Sequence, residues 1–202
     1  MPSGRSILSA IVLAALLLGL TAPGAAPDDD AGEQLVKLKA AYLRTLSRYV
    51  EWPGTTFADE KAALVICVVG TDPFGAILDQ SVRDATARGR PFEIRRLRKL
   101  PQESAPPAAH DAATADLRRC HVLFLCESER TEIVRIRTML LGAHVLTVSD
   151  IPEFARDGGV IELVLDEGKV RFHINRRAAE RAGLRIDAKF MSLARKVYEE
   201  DR

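Results

Sequence analysis

Leu64-Val-Ile-Cys-Val-Val69 runs directly into Gly70-Thr-Asp-Pro-Phe-Gly75. An unbroken apolar run rich in β-branched residues, with no polar alternation, reads as a strand buried on both faces. Such a strand needs helices on both sides of its sheet, which points to a parallel sheet of α/β type. The glycine- and proline-bearing loop ends the strand, and a helix is expected from about Phe74 to Val82. The pattern then repeats downstream. Ala87-Arg-Gly-Arg-Pro91 is a turn before a strand from Phe92 to Leu97. His121-Val-Leu-Phe-Leu-Cys126 is a third buried strand, and Ser128-Glu-Arg-Thr131 opens a helix that reaches about Leu141 and is capped by Gly142. His144 to Val148 is a fourth strand.

The flanking segments complete the pattern. Glu33 to Glu51 carries Leu35, Leu38, Tyr42, Leu46, Tyr49 and Val50 at helical steps, and Trp52-Pro53-Gly54 stops it. Lys99 to Ala115, rich in Pro and Ala, reads as a mobile loop. Ser149 to Phe154 reads as a short helical turn and Asp157-Gly158-Gly159 as a turn. Val160 to Leu165 and Lys169 to Ile174 form a hairpin about Asp166-Glu-Gly168. Asn175 caps a helix from Arg176 to Ala182, and a last helix is expected from Asp187 to Tyr198. The expected fold is therefore α/β. It is a single three-layer domain over residues 33–202, with a mostly parallel central sheet and an antiparallel hairpin at one edge.

The first residues read differently. Arg5 precedes an apolar run from Ile7 to Leu20, too short to span about 30 Å of hydrocarbon comfortably. Thr21-Ala-Pro-Gly-Ala-Ala26 then offers small residues for cleavage after Gly24 or Ala26. Residues 1–26 are expected to be a secretory signal peptide, and residues 27–32 a flexible acidic linker.

In the chain of 202 residues, Lys+Arg is 29 and Asp+Glu 28, a formal charge of +1 that makes no electrostatic case for nucleic-acid binding. Aromatic residues are 5%, too few for a stacking platform on single strands. Cys67, Cys120 and Cys126 allow one disulfide in an oxidising compartment and leave one thiol over. Their spacing matches no zinc motif, and Cys120 and His121 are adjacent on a strand and face opposite ways, so no metal is expected.

Catalytic readings are weak throughout. The loop Gly70 to Gly75 is neither a dinucleotide fingerprint nor a Walker loop, and Pro73 removes one amide that a phosphate cradle would use. Cys126 ends a strand and His121, His144 and His173 are available, but each histidine lies in or at the start of a strand, where packing explains it. There is no Gly-x-Ser-x-Gly elbow. Ser149-Asp150 is better read as a helix N-cap. Glu162 and Arg171 are expected to pair across the hairpin. No catalytic residue is assigned and no cofactor is expected.

Nine segments in order carry a resemblance. They are Lys39-Ala-Ala-Tyr-Leu43, Tyr49-Val-Glu-Trp-Pro53, Ile66-Cys-Val-Val-Gly70, Asp72-Pro-Phe-Gly75, Gly89-Arg-Pro91, Cys120-His-Val-Leu-Phe124, Val145-Leu-Thr-Val-Ser-Asp150, Phe154-Ala-Arg-Asp-Gly-Gly159 and Val170-Arg-Phe-His-Ile-Asn175. Together they resemble the YfiR/HmsC family, over about Glu33 to Val197. The resemblance implies a non-enzymatic periplasmic regulator that holds an inner-membrane diguanylate cyclase in check through its periplasmic region. It lowers cyclic di-GMP and biofilm formation. It also implies an outer-membrane partner, often a lipoprotein, that sequesters the regulator, and it implies a homodimer and a redox-sensitive fold. An extracytoplasmic small-molecule sensor is the other reading, with its ligand near Gly70 to Gly75 and Ser149-Asp150.

On the regulator reading, Phe154, Ile161, Glu162, Arg171 and Phe172 are the expected partner-contact region, on a hairpin expected to form an edge. Cys67 and Cys120 lie on or beside neighbouring strands and are the expected disulfide. Cys126 is too far along its strand to replace Cys120. Any redox switch must rest on these three cysteines.

Overall fold

The computed structural model describes residues 27–199; the signal-peptide segment 1–26 lies outside them. In chain order the elements are α1 (Pro27–Leu46), β1 (Val50–Glu51), β2 (Leu64–Val69), α2 (Ala76–Val82), β3 (Thr86–Ala87), β4 (Arg90–Leu97), α3 (Pro107–Arg118), β5 (Val122–Leu125), α4 (Ile133–Met139), β6 (Leu146–Ser149), β7 (Ile161–Asp166), β8 (Lys169–Asn175), α5 (Arg176–Arg181), β9 (Arg185–Ile186), α6 (Ala188–Met191) and β10 (Lys196–Tyr198). Eight strands make the main sheet in the order β10-β8-β7-β6-β5-β2-β4-β3, and β1 with β9 make a small second one.

Strand β2 sits inside the sheet, parallel to both neighbours, with Ile66 opposite Ile94 of β4 and Val122 of β5. All six of its residues are buried. Alternation along a strand sends successive side chains to opposite faces, and here each face has its own helical layer. Ile66, Val68, Val122, Phe124, Leu146 and Val148 pack with Leu43 of α1, Leu78 of α2 and Ala178 of α5. Val65, Cys67, Val69, Leu123 and Leu125 pack with Leu117 of α3 and Ile136 of α4. The three-layer α/β domain expected from the sequence is the observed one. Burying an apolar side chain of this size is worth about 1.5–3 kcal/mol, so an unbroken apolar strand pays for itself only between two helical layers.

Four expectations are corrected. The hairpin β7–β8 is antiparallel as expected, but it is not an edge: β10 pairs parallel to β8, with Lys196 opposite His173. Consequently the segment from Asp187 to Tyr198 is not one helix. It is a single helical turn, α6, capped by the Asp187 carboxylate, which accepts from Phe190 N–H at 3.0 Å, followed by β10. The Pro/Ala segment is not all loop, because Pro107 to Arg118 form α3. Proline is tolerated at the first helical position and the following alanines are strong helix formers. Residues 27–32 are not a separate linker, because α1 already begins at Pro27. No helix among the described residues is long and apolar enough to cross a membrane.

Asn175 locks the end of β8 to its surroundings. Its fully buried side chain accepts from Ala178 N–H at 2.8 Å, capping α5, and donates to the Ala155 carbonyl at 2.7 Å. Asn175→Ala removes a cap worth about 1 kcal/mol and leaves a buried carbonyl without its donor, so stability should fall by about 2–4 kcal/mol. Asn175→Ser, which can cap α5 but cannot reach Ala155, should recover only about 1 kcal/mol. Denaturant midpoints of the three proteins check both figures.

Candidate functional site

The chain leaves β2 toward β4 on one side and later reaches β5 on the other, so the order reverses between β2 and β5. Open α/β sheets bind ligands outside the carboxyl ends of the strands at such a point. Here the crevice is filled by the protein's own groups. Gly70, at φ +101°, lies beneath Ser128 and Glu129; a Cβ there would come within 2.3 Å of the Ser128 hydroxyl and 2.8 Å of Glu129 Cγ. The Ser128 hydroxyl accepts from Thr71 N–H at 2.9 Å and donates to the nearly buried Glu129 carboxylate at 3.0 Å.

The loop from Gly70 to Gly75 is stapled from below. Asp72 accepts from Phe74 N–H at 2.7 Å and from Arg96 Nε at 2.8 Å. Arg96 also donates to the Gly75 carbonyl at 2.7 Å and to Asp79 at 2.6 Å. This guanidinium holds the Asp79 carboxyl below the usual carboxylate range. On the far side, Lys39 of α1 pairs with Asp150 at 2.5 Å. Ser149 donates to the Leu125 carbonyl at 2.8 Å and accepts from Ile151 N–H at 3.1 Å. Both segments expected to hold a small ligand thus lie at one end of the sheet, each bonded to its own neighbours.

The expected partner patch is not a surface. Phe154, Ile161, Glu162 and Phe172 are buried and only Arg171 is exposed. The ring of Phe154 covers Gly159, whose Cβ position would fall 2.1 Å from it. Glu162 does not pair with Arg171. The tight turn sets Asp166 opposite Lys169, and counting back puts Glu162 opposite His173 and Val164 opposite Arg171. The Glu162 carboxylate instead accepts from Glu153 and Ala155 N–H, each at 3.2 Å, with His173 Nδ1 at 3.6 Å. It is the buried anchor of the loop that leads into β7.

Cys67 of β2 and Cys120, just before β5, form the disulfide, with Cα atoms 5.8 Å apart. Both are buried on the α3–α4 face. Cys126 packs on the opposite face, so it cannot substitute for either. Burial, with the carboxylates of Asp72, Asp150 and Glu129 nearby, pushes the Cys126 thiol up to about 12. A thiol held protonated is a poor nucleophile. Beside the bridge, His121 Nδ1 accepts from Val65 N–H at 2.9 Å. The ring stacks on Phe57 at 4.4 Å, with the Arg90 guanidinium over Phe57 at 3.8 Å. Among the described residues no group of three or more His, Cys, Asp or Glu is placed to hold a metal ion.

The YfiR/HmsC-like family matches residues 36–195. The chain belongs to that family. Membership suggests a periplasmic regulator in cyclic di-GMP signalling, and a disulfide in the core is consistent with an extracytoplasmic protein. No curated protein matches the chain. A conserved domain protein from Vibrio cholerae O1 biovar eltor is similar in fold, with a TM-score of 0.55 and 15% identity over 80% of this chain and 60% of that one. The ABC domain in complex with L-Trp from Streptococcus pneumonia matches with a TM-score of 0.49 and 12% identity, over 83% of this chain and 60% of that one. The chain thus spans 60% of the length of each solved relative.

Two groups of this family member missed by the sequence reading are Glu129 and the Lys39–Asp150 pair. Nothing local marks Glu129 as buried. Lys39 stands one residue before the fully buried Ala40 on the helix, a weak signal for a cation needed inside.

The bridge spans a sequence separation of 53 residues, and closing a loop of that length stabilises the fold by about 4 kcal/mol on chain-entropy grounds. Replacing Cys67 and Cys120 together by Ser should cost up to about that amount, whereas Cys126→Ala should cost about 1 kcal/mol. Unfolding with and without reductant checks both, since the double variant should be insensitive to reductant.

His121 gives a pH dependence. Burial, reinforced by Arg90 and Arg95, lowers its pKa below 6.5 in the folded state, so the unfolded chain takes up the proton first. Its contribution is fully present above about pH 6.5 and is lost as the pH falls below that value toward the folded pKa. Protonation would also turn Nδ1 into a donor facing the Val65 N–H. Stability measured from pH 7.5 to 5 should fall less steeply in His121→Asn than in the parent protein.

Proposed function

We propose that this chain is a periplasmic regulator that binds the periplasmic region of an inner-membrane diguanylate cyclase and represses it, lowering cyclic di-GMP and biofilm formation. The family match across residues 36–195 carries the reading. The protein acts by binding rather than by catalysis. In support, three of the nucleophile, acid and base candidates of the sequence are engaged structurally: burial holds the Cys126 thiol protonated, His121 holds a backbone amide, and Glu162 anchors a loop. Repression by binding needs only that one state of the cyclase be held more tightly than another, and about 1.4 kcal/mol of preference shifts the ratio tenfold. Arg171 is the residue of the expected contact region that a partner can reach. An outer-membrane lipoprotein that sequesters the regulator, and self-association into a homodimer, complete the proposal.

Intracellular cyclic di-GMP should rise in a deletion strain and return to the parental level when the exported protein is restored. An unchanged level after deletion, under both oxidising and reducing conditions, would overturn the reading.

A further inference from the structure

At the amino-terminal ends of β2, β5 and β6, opposite the filled crevice, a cleft of about 530 Å³ opens beside the disulfide. That volume lies in the range of small-molecule sites. Arg95 of β4, with Arg118 and Arg119 at the end of α3, line it together with His121, His144 and Thr56, and no lining residue is acidic. Cys120 also lies in its wall. Three guanidinium groups thus face one cavity.

Two of the three cations have a carboxylate partner, in both cases solvent-exposed, where an ion pair is weak and exchangeable. Glu93 pairs with Arg95 at 2.6 Å, and Asp116 stands 3.6 Å from Arg119, both well exposed. Arg118 donates to the carbonyls of Met139 and Leu141, at 3.2 and 2.8 Å, and has no carboxylate within ion-pair distance among the described residues. Cations at the end of α3 suit the helix dipole, which accounts for Arg118 and Arg119 but not for Arg95. Nor does it account for Thr56, whose hydroxyl is buried and has no hydrogen-bond partner. His121 contributes shape, its Nδ1 being held by the Val65 N–H. His144 Nδ1 bonds the Ala182 carbonyl at 2.8 Å and so carries the proton, leaving Nε2 to complete the wall.

We infer that this cleft binds a phosphate-type oxyanion, with Arg95 and Arg119 as its charged contacts and the Thr56 hydroxyl as a neutral donor. Planar guanidinium groups match tetrahedral oxyanions through paired hydrogen bonds. The disulfide places Cys120, and with it the neighbouring Arg118, Arg119 and His121, so the bridge preorganises the site. The phosphate can belong to a free anion or to a lipid headgroup.

The test uses the purified oxidised protein. Inorganic phosphate is titrated by calorimetry at constant ionic strength against chloride, and in parallel the protein is sedimented with phosphatidylcholine vesicles with and without phosphatidylglycerol. Saturable binding is expected in one arm, at or below about 1 mM for phosphate, and the arm that responds names the source. Arg95→Gln with Arg119→Gln should weaken it about tenfold or more, as should Thr56→Val to a smaller degree. Arg83→Gln with Arg177→Gln removes the same charge from exposed positions that do not line the cleft and should leave it unchanged. Circular dichroism confirms that each variant is folded. No saturable binding in either arm overturns the inference, and so does an equal loss in the Arg83/Arg177 control.

Discussion

Alternating side chains of β2 serve two cores at once: Ile66 and Val68 toward α1 and α2, Cys67 and Val69 toward α3 and α4. Everything else depends on that double burial. A strand with no polar face cannot sit at a solvent boundary, so helices must cover both sides and the connections between strands must cross over. The crossovers put β4 on one flank of β2 and β5 on the other, which creates both the reversal point and the adjacency that the disulfide uses. Cys67 pairs with Cys120 and not with Cys126 for the same reason. Cys67 and Cys120 belong to one core and Cys126 to the other, and no sulfur can reach across a sheet whose interior is filled.

The main strands were legible because burial on both faces writes an unmistakable pattern. The residues Leu64 to Val69 and Val122 to Leu125 are the strands the apolar runs announce. What was illegible had weak or shared signals. Helix α3 buries only Leu117 among its own residues, so it lacks the apolar stripe that marks a helix, and two prolines at its start suggest a loop. The last strand, β10, is three residues long and half-exposed; its sequence suits a helix as well, and pairing with β8 decides it. The expected Glu162–Arg171 pair fails for a different reason. A tight turn at Glu167-Gly168 fixes the register, and the register was countable from the sequence. Register, not opposite charge, decides the pairing, and it sets Glu162 opposite His173.

The buried patch carries a lesson about where such a domain can meet a partner. Phe154, Ile161 and Phe172 look like interaction residues because they are large, apolar and clustered near one hairpin. The structure uses them to fix the path of the chain from β6 to β7: Phe154 closes over Gly159, Glu162 gathers the amides of Glu153 and Ala155, and Asn175 takes the carbonyl of Ala155. Three independent contacts on one short loop leave it little freedom. The path from β6 to β7 is therefore fixed from inside, and of the five residues of the expected patch only Arg171 of β8 is left exposed.

The two ends of the sheet are also unlike in a way that bears on regulation. At the carboxyl end, where α/β folds ordinarily take ligands, Glu129, Ser128 and the Lys39–Asp150 pair occupy the space, and opening it would strand a buried carboxylate. At the amino end the cleft is lined by three arginines, two of them paired with carboxylates outside its lining, and the disulfide is in the wall. Breaking the bridge removes a constraint on the junction of α3 and β5, where Arg118, Arg119 and His121 stand. The hydrophobic packing of β2 and β5 does not depend on it in the same degree, since their remaining core residues stay in contact on both faces. The bridge thus ties the arginine-lined end directly to the central strand β2.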